Sequence, residues 1–154
     1  MTPLAAARPV LRCMHRAYGT AQSTFWYLIQ SASSTCKKRS RAKDCSPGLW
    51  DTSAAGHLAS GGSSAAAAKR ELSEELRVSP HPVLDPVFKL GASPATGFEF
   101  VNVFRCMTAA PVIADPDEIT EGCWVERGSL ALWMRRDRAE FTATFHEICA
   151  RLIW

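Results

Sequence analysis

No acidic residue precedes Asp44, whereas Arg8, Arg12, Arg16, Lys37, Lys38, Arg39, Arg41 and Lys43 all do. The chain also lacks an internal repeat, a Cys-x-x-Cys pair and any apolar run long enough to cross a bilayer as a helix, which takes roughly 18 residues. Its six cysteines (Cys13, Cys36, Cys45, Cys106, Cys123 and Cys149) are scattered. That scatter speaks against a cysteine metal cluster or redox motif, and the cysteines read as reduced thiols, mostly small core residues. Net charge is only +3, so charge implies no nucleic-acid partner. With 154 residues, 47% hydrophobic and 21% charged, the chain has the composition of an ordinary globular domain with a real core.

The uneven charge has its own meaning. The opening MTPLAAARPVLRCMHRAYGTAQS carries arginine, alanine and serine without acid, the composition of an organelle transit peptide. The other reading is a first strand with solvated arginines. The expected organisation is a tail or transit segment over residues 1–13 and one domain over 14–154. The expected address is cytoplasmic, with mitochondrion or plastid as the alternative.

Patterning then predicts the elements. FWYLIQ at 25–30 is aromatic and branched, as strands are, and SASST at 31–35 reads as a polar loop. The basic run at 36–43 has the composition of a nuclear signal or nucleic-acid patch, but reads first as a solvated loop beside an anionic ligand. Trp50-Asp51-Thr52-Ser53 is strand-like and leads to a turn at Gly56-His57-Leu58. The alanine-rich stretch 64–76 predicts a helix, capped by Ser63 or Ser64 and stopped by Pro80 and Pro82. Strands are expected near 83–90, 98–106 and 119–126, and a short helix at 129–136. Asp137 is placed as the cap of a last helix in which Phe141, Phe145, Ile148 and Leu152 recur at helical spacing. Strands alternating with helices give a layered α/β (α+β) class.

Glu71, Glu74 and Glu75 fall at offsets of zero, three and four, so a helix would put them on one face. Three crowded carboxylates repel each other unless a cation sits among them. Strand, glycine turn and carboxylate-bearing helix together suggest a site for metal and phosphate.

These residues resemble the Nudix family, whose box reads Gly-x5-Glu-x7-Arg-Glu-U-x-Glu-Glu-x-Gly-U, U being aliphatic. Gly56, Arg70, Glu71, Leu72, Glu74, Glu75 and Val78 fall in register. Gly62 stands where the first Glu belongs, and Arg77 where the second Gly belongs. The flanks KRSRAKDCSPGLWDTSAAGH, His15-Arg16-Ala17, Glu99-Phe100-Val101 and Asp115-Pro116-Asp117-Glu118-Ile119 resemble the branch related to isopentenyl-diphosphate isomerase. The resemblance spans residues 15–152 and implies an α/β/α sandwich around a mixed sheet.

It also implies roles. Glu71, Glu74 and Glu75, with the carbonyl of Gly56, would bind Mg²⁺ or Mn²⁺, as suits hard oxygen donors. Arg70 would orient the helix carboxylates, and Glu74, Glu75, Arg70 and Glu99 would carry catalysis, Glu99 as base or extra ligand. Glu118 and Glu121 are weaker candidates for a second metal. Lys38, Arg39, Lys43 and Trp50 would contact substrate, with Arg41, Phe25, Trp26 and Phe98 as further candidates. His15 and His57 match metal-binding histidines of the isomerases, but the isomerase cysteine falls at Ala55, which cannot move a proton. The implied activity is metal-dependent hydrolysis of a nucleoside-diphosphate-type or prenyl-diphosphate-type substrate by water attack at phosphorus. The alternatives are a catalytically impaired binding module, motivated by Gly62 and Arg77, and an isomerase relative. A small-molecule diphosphate is the expected partner, and a homodimer is compatible with the sequence.

Overall fold

A computed structural model describes residues 22–30, 33–59 and 61–152, with strand 22–30 described by its backbone. The predicted tail, His15 and the side chains of Phe25 and Trp26 lie outside what is described.

Strand β1 (Gln22–Gln30) organises a mixed sheet. Along one edge it runs parallel to β6 (Phe100–Met107), from Gln22 opposite Phe100 to Ile29 opposite Met107. Its other edge is shared. Ser23 to Trp26 pair antiparallel with β4 (Ala54–His57), and Ile29 and Gln30 pair with the start of β2 (Ser33–Arg39). Strand β2 goes on to pair with β3 (Trp50–Asp51) and β7 (Ile119–Glu126), while β5 (Leu84–Leu90) closes the far edge on β6.

Helices cover both faces. Helix α1 (Ser64–Leu76) packs Ala68, Leu72 and Leu76 with Ala54, Phe104, Cys106 and Ile119. Helices α2 (Arg127–Arg136) and α3 (Ala143–Arg151) pack Leu130, Met134, Phe145 and Ile148 with Cys36, Trp50, Val101 and Val103. In β6, Val101 and Val103 face one core and Phe104 and Cys106 the other, so both faces are dry and the expected α/β/α sandwich is what forms.

Helix α1 forms where its composition predicts. Ser63 caps it, its hydroxyl accepting from the Ala66 N–H. It ends with Arg77 in the left-handed region (φ 50°), where the Arg77 and Val78 N–H groups close on the carbonyls of Ser73 and Leu72. A glycine usually fills that position.

Other expectations need correction. The loop read at 31–35 is too long, because Ser33 to Thr35 already belong to β2. The run at 36–43 is not a solvated loop: Cys36 to Arg39 continue β2, and Lys37 is only 3% exposed. Composition misled there because tertiary packing fixes the strand. Gly56 and His57 lie within β4, not in a turn. Strand β6 begins at Phe100, not at 98, because Gly97 (φ 64°) and Phe98 (φ 62°) are left-handed and turn the chain first. Thr142, not Asp137, caps α3, accepting from the Phe145 N–H. Phe141 before it is extended and bridges Trp50, so the helix starts only afterwards. Cys36, Cys106, Cys123 and Cys149 are free thiols, as expected, but Cys45 is disulfide-bonded.

Candidate active site

The box carboxylates converge on an acidic cleft of about 540 Å³, edged by α1, β4 and the 115–118 loop. Glu71 lies against Gly56, where a Cβ would stand 2.0 Å from the Glu71 carboxyl carbon. Glycine is therefore required by close approach, not by backbone angle. Arg70 fixes this corner. Its Nη2 donates to Glu71 Oε1 at 2.6 Å and to the His57 carbonyl at 3.1 Å, and its Nε lies 3.6 Å from Glu74. The helix is thereby tied to β4, and two like charges are held apart by a cation.

Glu75 behaves differently from its neighbours. It is 4% exposed, and its Oε2 accepts from the Lys37 ammonium and, at 3.3 Å, from the Ala55 N–H. It thus joins α1 to β2 and to β4. Burial pushes the Glu75 carboxyl up, against the opposing pull of Lys37.

His57 Nε2 lies 3.1 Å from Glu99 Oε1. That hydrogen bond, more than any other influence, raises the His57 pKa above 6.5. Lys43 pairs with Glu118 on the cleft wall, and Asp115 and Asp117 face the same space. The loop carrying them is tied to the end of α1 by Asp115 N–H to Glu75 carbonyl and Ile113 N–H to Leu76 carbonyl bonds. The two aspartates were passed over as site residues, although Asp115-Pro116-Asp117-Glu118 is visible as an acidic run.

The predicted set thus divides. Gly56, Arg70, Glu71, Glu74, Glu75 and Lys43 line the cleft, and Glu99 reaches it through His57. Three predicted substrate contacts do not line it. Trp50 is a core residue at 4% exposure, edge-on to Trp133. Lys38 lies over the Trp50 ring and pairs with Glu121, and Arg39 pairs with Asp51. Lys37 and Lys38 alternate sides along β2, which carries Lys38 away from α1. Phe98, half exposed, is also outside the lining.

Among the described residues, no three His, Cys, Asp or Glu side chains are disposed to hold a metal as they stand. In donor type, Glu71, Glu74 and Gly56 fit one hard cation. Glu75 lines the same cleft, with its Oε2 taken up by Lys37 and the Ala55 N–H.

The family model for the NUDIX domain matches residues 28–145. The chain belongs to the NUDIX family. An isopentenyl-diphosphate Delta-isomerase from Agromyces mediolanus is 35% identical over 105 residues, covering 64% of this chain and 50% of that protein. The NUDIX chain thus spans about half the length of this curated relative. The solved structure of DR0079 from Deinococcus radiodurans is similar with a TM-score of 0.76 at 24% identity, covering 87% of this chain and 83% of that one. The NUDIX domain of Shewanella oneidensis NrtR, complexed with ADP ribose, gives a TM-score of 0.62 at 12% identity over 84% and 82%. These structural likenesses establish the fold. No described helix is long and apolar enough to cross a membrane.

Proposed function

We propose that the acidic cleft hydrolyses a diphosphate linkage in a small molecule of the nucleoside-diphosphate or prenyl-diphosphate type. The observation that carries this reading is the Arg70-Glu71-Gly56 corner. A carboxylate is pinned by a guanidinium against a glycine that leaves it no slack. Membership of the NUDIX family and the ADP ribose bound by the Shewanella domain support it.

When a divalent cation is held by Glu71, Glu74 and Gly56, it supplies neutralising charge to the diphosphate oxygens. The protein's part is then positional. Arg70 keeps Glu71 in place, and Lys43 offers a cation to a distal phosphate from the opposite wall. Glu99, paired with His57, accepts the proton of an attacking water. The water oxygen bonds to phosphorus, the bridging P–O bond breaks, and its electron pair leaves with the departing phosphate.

The test is product release from nucleotide-sugar, dinucleotide, nucleotide and prenyl diphosphates with Mg²⁺ or Mn²⁺. Glu71→Gln should lower turnover of the best substrate by about 100-fold or more. Arg70→Ala, which loosens Glu71 without removing it, should cost about 10- to 100-fold. Equal turnover by wild type and Glu71→Gln would refute the proposal.

The isomerase reading is favoured by one observation, the His57–Glu99 pair, since both residues match isomerase positions. Ala55 opposes it, because a methyl group cannot deliver or accept a proton at carbon. Isomerisation measured by solvent proton exchange would decide for it.

A further inference from the structure

The buried pair between β2 and α1 is unusual for a cleft read as a cation site. Lys37, 3% exposed, has its ammonium on Glu75 Oε2. Among the described residues, Lys37 pairs with no carboxylate other than Glu75. Its cross-strand partner on β7 is Gly122, and on β3 it is Asp51. Asp51 is already committed, with Oδ2 to Arg39 and Oδ1 to Thr142 and the Thr52 N–H. Glu75 is therefore the counterion of Lys37, and the two are buried together.

A buried carboxylate needs a cation, and Oε2 is already occupied by one. A divalent ion on that oxygen would lie in contact with the ammonium. The like charges would repel, and Lys37 would have to leave a position from which it cannot reach water without moving.

We propose that Lys37 is a resident cation of this site. Its ammonium takes, at Glu75, the place that a divalent ion would otherwise take, so metal is left to Glu71 and Glu74. Glu75 then positions the end of α1 between β2 and β4 instead of ligating metal. This rests on the reading of the α1 carboxylates as a cation site, but not on what the cleft hydrolyses.

The test is Mn²⁺ titration without substrate, followed by the electron paramagnetic resonance of free Mn²⁺. The proteins are wild type, Glu75→Gln, Lys37→Met and the double variant, each checked for folding by circular dichroism. With Lys37 in place, Glu75→Gln should leave Mn²⁺ affinity within about threefold of wild type, well under the ~10-fold cost of disturbing a functional metal site. Lys37→Met frees Glu75 and should bind Mn²⁺ about 10-fold tighter or take up a further ion. Its melting temperature should rise with Mn²⁺, and the double variant should lose that gain. A loss of about 10-fold or more in Glu75→Gln would overturn the proposal, because Glu75 would then be a ligand in the native protein. Unchanged binding by well-folded Lys37→Met would overturn it equally. Should Lys37→Met fail to fold, Glu75→Gln alone decides. Absence of turnover on every diphosphate would count against the proposed activity and leave these binding results standing.

Discussion

A Cβ at Gly56 would stand 2.0 Å from the Glu71 carboxyl carbon and 2.4 Å from its Cγ. Gly56→Ala must therefore displace Glu71 from its seat. Gly56 itself lies in a strand without left-handed strain. Turnover should fall nearly as far as in Glu71→Gln, while the melting temperature changes little; steady-state kinetics and a thermal melt check both. His57 offers a second residue-scale test. Its hydrogen bond to Glu99 raises its pKa above 6.5, so the protonated pair is fully present below the unfolded value. The pair is lost as pH rises through the folded value. An NMR titration should find His57 titrating above 6.5 in wild type and moving down toward it in Glu99→Gln. No shift between the two would contradict the pairing. Gly56 and Glu71 were legible in the sequence through motif register. The Lys37–Glu75 pair was not, because burial of a lysine is decided by what packs over it, and a basic run reads as solvated until α1 is laid across β2.

Helix α1 ends on Arg77 at φ 50°, where a side chain costs roughly 1 kcal/mol relative to glycine. Arg77→Gly should stabilise the fold by up to about 1 kcal/mol, read from denaturant midpoints. It should leave turnover unchanged, since Arg77 does not line the cleft. Loss of stability would show that the arginine side chain makes up for its backbone strain. The bounds of α1 and β7 were legible because alanine-rich propensity and a branched, bounded run each point one way. The start of β2 was not, since serines carry no strand preference and its pairing with β7 is long-range. The start of α3 was hidden for a related reason: the Phe141–Trp50 bridge holds the chain extended past the first plausible cap.

Across the whole molecule, β1 splits one edge between β4 and β2, and β4 brings Ala55, Gly56 and His57 to the cleft wall. The layers were legible from the alternation of elements, and the family from the box. The cleft's opposite wall was not. Asp115, Asp117 and Glu118 arrive through backbone bonds between a loop and the end of α1, and no local pattern announces those. The measurement that tests the account most directly is turnover of the best diphosphate in H₂¹⁸O with Mg²⁺ present, products being read by mass spectrometry. Water attack at phosphorus predicts one ¹⁸O in a released phosphate or monophosphate, and its loss in Glu71→Gln. Label in the organic alcohol, or an isomerised substrate carrying none, would contradict the account.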